Sequence, residues 1–148
     1  MEKSVGRLVS ILYRKNQVCL NAVLKPLNIT SSELPILTYL FRHDGVSQEE
    51  LSAFLVIDKG STARMVQSLM KKGFVRKEKD TVDRRANRIF LTELALKQES
   101  KIYELLRQWN SFLIEGLEEQ SVNIMFTALE NMVKKVDNTD FREIWRNK

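Results

Sequence analysis

Apolar residues recur three and four positions apart along most of the chain, a spacing that predicts helices. From about Ser4 to Lys25, Leu8, Leu12, Cys19 and Val23 form one stripe, widened by Val5, Val9, Ile11 and Leu20. Pro26 ends this helix, because proline disfavours helical backbone in the residue before it. Asn28 to Ser31 makes a joint, and Ser31 or Ser32 is positioned to cap a second helix over about Ser32 to Arg42. Leu34, Leu37, Leu40 and Phe41 point inward there. Pro35 falls in the first turn, where proline is tolerated, and His43-Asp44-Gly45 closes the helix.

The pattern tightens from Ser47 to Thr92. Ser47 followed by Glu50 is an S-x-x-E capping box, opening a short helix to about Leu55 whose Leu51, Phe54 and Leu55 face a core. Val56-Ile57 breaks the spacing, and Asp58 can cap another helix running to about Lys72. Gly73 suits the position just past its end. On a helical wheel Thr62, Met65, Val66, Leu69 and Met70 share one side of this helix. Gly60, Ser61, Arg64, Gln67, Ser68 and Lys71 share the other, which is small, polar and positive with no carboxylate. Two short strand candidates follow, Phe74 to Lys79 and Asn87 to Thr92, bridged by the charged loop Asp80 to Ala86. Asp83 can pair with Arg84 or Arg85 and hold it, leaving the other arginine free.

Beyond the strands, helical spacing resumes from about Leu94 to Gly116, with Leu105, Trp109, Phe112 and Leu113 apolar. It resumes again from about Ser121, with Ile124, Leu129, Met132, Val133 and Val136. In the tail, Phe141, Ile144 and Trp145 suggest a further short helix or a docked segment. These terminal helices carry more apolar residues than a small helical head with a short sheet can cover.

Charge changes the picture. Lys59 to Arg88 holds ten Lys/Arg against three Asp/Glu, a local excess of +7, whereas the rest holds fourteen against sixteen. A basic block in an otherwise mildly acidic chain is the electrostatic footprint expected for a polyanion. With 148 residues, 43% hydrophobic and 29% charged, the chain suits one domain with a proper core. The single cysteine cannot form an intrachain disulfide, no apolar run reaches membrane-spanning length, and the first residues lack a signal peptide's apolar stretch. A soluble, cytoplasmic protein is the expectation. Small residues Gly60 and Ser61 would let the helix N-terminus approach a phosphate, and Arg64 can reach a base edge.

The order helix, turn, helix ending in K-K-G-F-V-R, then D-x-x-D-R-R-A-N-R-I-F-L-T, resembles the winged helix-turn-helix of MarR-family transcription regulators. The resemblance is detailed over this core and looser, by helix order and length, over nearly the whole chain. Thr92-Glu93-Leu94-Ala95-Leu96 runs on without the glycine that often opens the next helix in that family. The resemblance implies a mainly α (α+β) fold, a winged helix-turn-helix with a small antiparallel β-wing and long N- and C-terminal dimerisation helices. Residues 1–148 would be a single domain, with 30–92 as the DNA-binding core and 1–29 and 93–148 as the helical dimerisation region. It implies a homodimer on a palindromic operator in double-stranded DNA, acting as a repressor relieved by a small-molecule effector, with no cofactor and no membrane. Lys59, Ser61, Thr62 and Arg64 carry over as recognition-helix contacts, and Arg84 and Arg85 as wing contacts. Gly60 and Ser68 join them from the exposed side of the wheel. Asp83 supports the wing. Arg85 is the preferred groove arginine.

Other residues favour plainer roles. Cys19 sits on the first apolar stripe and reads as a packed thiol rather than a redox switch. His43 reads as a helix-end residue, and one histidine with one cysteine makes no metal site. Trp109, Phe112, Tyr39, Tyr13 and Phe41 could line an aromatic ligand pocket, but their spacing suits core or dimer interface, and no ligand-binding residue is assigned. No phosphate loop, nucleophile elbow or metal-ligand pair points to an enzyme. The alternatives to a sequence-specific regulator are a winged-helix module for an acidic protein partner and a nonspecific architectural DNA binder.

Overall fold

The computed structural model describes residues 3–140, so the tail residues Phe141, Ile144 and Trp145 lie outside the described residues. The chain divides into two compact units, Met1–Leu105 and Leu106–Lys148. In the first unit, α1 (Val5–Leu24) starts at Ser4, whose hydroxyl accepts a hydrogen bond from the Arg7 N–H at 3.3 Å. Pro26 then diverts the chain into a 3₁₀ turn (Lys25–Leu27), and Asn28 follows in the left-handed conformation that asparagine tolerates. Only part of the predicted α1 stripe is covered. Leu20 and Leu24 are buried, whereas Leu8 and Leu12 are 57% and 56% exposed, Val23 is also exposed and Cys19 is half-buried. Cys19 is therefore not the packed core thiol that its spacing predicts.

Helix α2 (Leu34–Leu40) is shorter than expected, and neither Ser31 nor Ser32 caps it. A capping box one step earlier closes the turn that leads into it. The Glu33 N–H donates to the Thr30 hydroxyl at 3.2 Å, and the Thr30 N–H donates to the Glu33 carboxylate at 2.9 Å. Ser31 instead ties the joint back to α1, its N–H donating to Asn21 at 2.8 Å and its hydroxyl to Gln17.

Then come β1 (Val46–Ser47), α3 (Gln48–Leu55), α4 (Lys59–Lys71), β2 (Val75–Lys79), β3 (Asn87–Leu91) and α5 (Glu93–Ile114). The sheet is antiparallel with order β1-β3-β2, and it pairs Val75 with Leu91, Lys79 with Asn87 and Val46 with Ile89. Two strands are expected from the pattern; β1 is a third, too short to show a period. Its approach depends on Gly45, at φ 75°, where an added Cβ would sit 2.6 Å from the Phe90 ring. Ile36, Leu37, Leu40, Leu51, Val66, Leu69, Ile89 and Ile102 are fully buried and form the core of this unit. Phe54, expected to face that core, is 54% exposed and packs its ring 4.1 Å from that of Tyr39. The second unit holds the end of α5, where Trp109 and Phe112 stack at 5.5 Å, and α6 (Glu119–Asp137). The architecture is a mainly α winged helix-turn-helix with a small antiparallel wing.

Candidate nucleic-acid interface

The joint between α3 and α4 follows from local chemistry. Ser47 and Glu50 make both bonds of a capping box, at 3.1 and 2.7 Å. The backbone N–H and hydroxyl of Ser47 hold the Glu50 carboxyl below its ordinary range. Val56 ends α3 in the left-handed conformation, with φ 54°. That conformation is a genuine outlier for a β-branched side chain. Asp58 then caps α4, accepting from the Ser61 hydroxyl at 2.6 Å and the Ser61 N–H at 2.8 Å, and these bonds hold its carboxyl low. The N-terminus of α4 is thus occupied by a carboxylate of the chain itself. This changes the expectation of a phosphate seated at Gly60 and Ser61, because the Asp58 carboxylate already faces the helix dipole and takes the Ser61 N–H.

The exposed side of α4 carries Gly60, Arg64, Gln67 and Lys71. Arg64 extends from it with Nη2 donating to the Ser61 hydroxyl at 2.8 Å, so Asp58, Ser61 and Arg64 form a short polar chain. Lys59 is exposed and paired with Glu49 of α3. Met70, placed inward by the wheel, is 38% exposed.

Two residues counted among DNA contacts turn the other way. Thr62 is fully buried; its hydroxyl donates to the Asp58 carbonyl at 3.1 Å and accepts from Ser52 at 2.9 Å. That hydroxyl is committed to the joint and is not presented to a phosphate. Ser68 is half-buried and donates to Glu33 of the α2 cap at 2.6 Å. Lys72, at the end of α4, binds both oxygens of Glu33, at 2.9 and 2.7 Å. Burial pushes the Glu33 carboxyl up, but Lys72, Ser68 and the Thr30 N–H outweigh it and hold it below the usual range. Glu33 is missed by sequence reasoning, although its T-x-x-E spacing repeats the signal used at Ser47.

The wing is organised by Asp80, not by Asp83. Asp80 is buried and accepts from the Val82 and Asp83 N–H groups at 2.8 and 3.1 Å. Those bonds, with that of Arg88, hold its carboxyl below the ordinary range. Arg88 closes the root, its Nε on Asp80 and its Nη1 donating to the Gly45 carbonyl at 2.8 Å. Asp83 accepts from the Arg85 N–H at 3.0 Å, and the Ala86 N–H returns to its carbonyl at 2.9 Å. It pairs with neither guanidinium; it shapes the turn. Arg84 and Arg85 are both exposed on that turn, as is Val82.

Beside α4 lies a cavity of about 590 Å³, walled by Tyr13, Gln17, Pro35, Phe54, Ile57 and Met65 among others, with Ser61 and Arg64 also lining it. Tyr13 and Phe54 belong to it; Trp109 and Phe112 stack elsewhere. Cys19 borders a separate, shallower depression with Arg14, Lys15 and Val18. His43 is exposed, its ring 4.8 Å from that of Tyr39. Among the described residues no group of three or more His, Cys, Asp or Glu could hold a metal ion, and no helix is long and apolar enough to cross a membrane.

Comparison with known proteins converges on one family. The sequence model of the MarR family matches residues 29–86. The HTH-type transcriptional regulator BilQ of Clostridium symbiosum is 26% identical over 134 residues, 90% of this chain and 93% of that protein. A MarR transcriptional regulator from Methanosarcina mazei Go1 superimposes with TM-score 0.85 at 36% identity, covering 88% of this chain and 94% of that one. A MarR family transcriptional regulator from Listeria monocytogenes, solved in complex with a 26mer DNA, shares the fold. Its TM-score is 0.84 at 22% identity, over 91% of this chain and 90% of that one. By fold, by sequence and by the order of its reading head, this chain belongs to the MarR family.

Proposed function

We propose that the protein is a homodimeric, sequence-specific regulator of transcription that binds a palindromic operator in double-stranded DNA and represses until a small-molecule effector releases it. The observation that carries this function is the pairing of two basic, solvent-facing features in one unit. They are an α4 face bearing Arg64 and Lys71, and a wing turn bearing Arg84 and Arg85, neither of whose guanidinium groups pairs with Asp83. Arg64 enters the major groove and contacts a base edge, Arg85 enters the minor groove, and Lys59, Gly60 and Ser61 line the approach. Thr62, Ser68 and Asp83 serve by shaping the head, as their hydrogen bonds suggest. The Listeria protein solved with DNA lends the same fold to this function.

Residues 30–92 act as the reading core, and 1–29 with 93–148 as the helical dimerisation region. The exposed apolar residues of α1 and α6 support this, since a two-fold dimer would cover them and space two recognition helices one helical turn apart. The cavity beside Arg64 is the place to look for the effector, which acts only through its different affinity for the two dimer spacings. The protein works in the cytoplasm and is not an enzyme.

The test is a titration of purified protein against its own upstream DNA and a scrambled duplex of equal length, at two salt concentrations. Selective, salt-sensitive binding of the upstream duplex is expected. Equal affinity for both duplexes would replace sequence-specific reading with an architectural role, and no binding to either at low salt would point to an acidic protein partner.

A further inference from the structure

We propose that Glu33 is a positioning residue for DNA reading: its buried carboxylate braces the last turns of α4 through Ser68 and Lys72 and sets the direction in which Arg64 is presented. The inference rests on the DNA-binding function above. Glu33 is 2% exposed, and its carboxylate accepts from Thr30, Ser68 and Lys72. Ser68 and Lys72 lie one turn apart on the same side of α4. At the other end, Thr62 ties the first turn of α4 to Ser52 of α3 at 2.9 Å. A rod held at both ends by directional bonds has a fixed axis. Between those ends α4 contributes Val66 and Leu69 to the core, and apolar burial is non-directional. A buried ion pair is poor evidence of net stabilisation, because desolvation offsets the Coulomb gain. Here its directional bonds fix a geometry.

The brace and plain electrostatics predict opposite signs. Glu33→Gln removes a negative charge from beneath a basic face, and by charge alone DNA binding should tighten. If the brace positions α4, binding weakens. Lys72 gives a second contrast. As a phosphate contact, Lys72→Met would lower the slope of log K against log[salt] by about 0.9. As a strut bound to Glu33, it lowers affinity and leaves the slope unchanged.

Fluorescence anisotropy on the full chain with the upstream duplex, at a series of salt concentrations, reads both variants beside wild type and Arg64→Ala. Thermal unfolding checks that each variant is folded, and a crystal structure of each variant gives the angle between α2 and α4. Expected for both variants is roughly tenfold weaker binding, an unchanged salt slope and a rotated α4. Wild-type or tighter binding by Glu33→Gln, a shallower slope for Lys72→Met, or an unmoved α4 overturns the brace. Should Glu33→Gln unfold, Lys72→Met and Ser68→Ala carry the same readouts. Should wild type fail to prefer its duplex, the DNA function falls on that result, and the helix angle still decides the brace.

Discussion

The reading head and the α6 helix are both built from apolar residues at helical spacing, yet they end in different states. In the head, Leu34, Ile36, Leu37 and Leu40 of α2 and Val66 and Leu69 of α4 are all buried. In α6 no residue is buried, and Ile124, Phe126, Leu129, Met132, Val133 and Val136 are all at least 41% exposed. Periodicity therefore says which side of a helix is apolar and leaves open what covers it. A head that closes on itself is held by its own core. Among the described residues the α6 stripe is exposed, and under the proposed function it is the surface that joins two chains.

The largest change is expected on α6. Replacing Leu129 and Val133 together by lysine puts two charges on the stripe and should convert a two-chain species into single chains, with the head still folded. Sedimentation velocity reads the mass and circular dichroism the fold. A wild-type chain that already sediments as a monomer would remove the assigned role of the stripe. The same operation inside the head acts on stability instead. Leu37→Ala, at a fully buried position, should cost about 2–5 kcal/mol of unfolding free energy by lost transfer energy and cavity formation. Urea titration measures it, and a loss under 1 kcal/mol would mean that the head is looser than its burial indicates.

The surface of the head should respond differently from its core. Arg64→Ala removes an exposed side chain and should leave stability nearly untouched. In duplex binding it should cost about 1–3 kcal/mol and relax selectivity at one position per half-site. Arg85→Ala should weaken binding more evenly across sequences. A loss for Arg85→Ala confined to a single base pair would contradict its minor-groove role and move base recognition to the wing.

What could be read from the sequence divides along the same line. The Ser47–Glu50 box, the Asp58 cap, Gly73 and the two wing strands are local signals, set within three or four residues, and the structure has all of them. The contacts that organise the site are longer. Glu33 meets Ser68 and Lys72 across 35 and 39 positions, and Arg88 reaches back 43 positions to Gly45. Asp83 attracted the wing role because it adjoins two arginines. The hairpin register instead sets Lys79 opposite Asn87, which brings Asp80 and Arg88 together across the root. Sequence adjacency drew the eye to Asp83, which shapes the turn; strand pairing puts Asp80 on Arg88 at the root. Thr62 and Ser68 bond within the head for a related reason, since hydroxyls on such a helix can serve the joint as readily as a ligand.

A modest, pH-dependent effect is expected at that wing root. Asp80 has its carboxyl held below the ordinary range by the Val82 and Asp83 N–H groups and then by Arg88. A group whose pKa is depressed on folding stabilises above its unfolded pKa, and that contribution is lost as pH falls through the folded one. Asp80→Asn should therefore lower the melting temperature modestly at pH 7. The gap to wild type should close as pH falls below about 4, the ordinary range of an aspartate, and the wild-type carboxyl takes up its proton. Arg88→Gln should reproduce part of the neutral-pH loss, since Arg88 also holds the Gly45 carbonyl. Melting curves of both variants and wild type between pH 3 and 7 measure this. A gap for Asp80→Asn that stays constant with pH would show that the side chain acts by shape alone, whereas one that closes assigns the wing root to its charge.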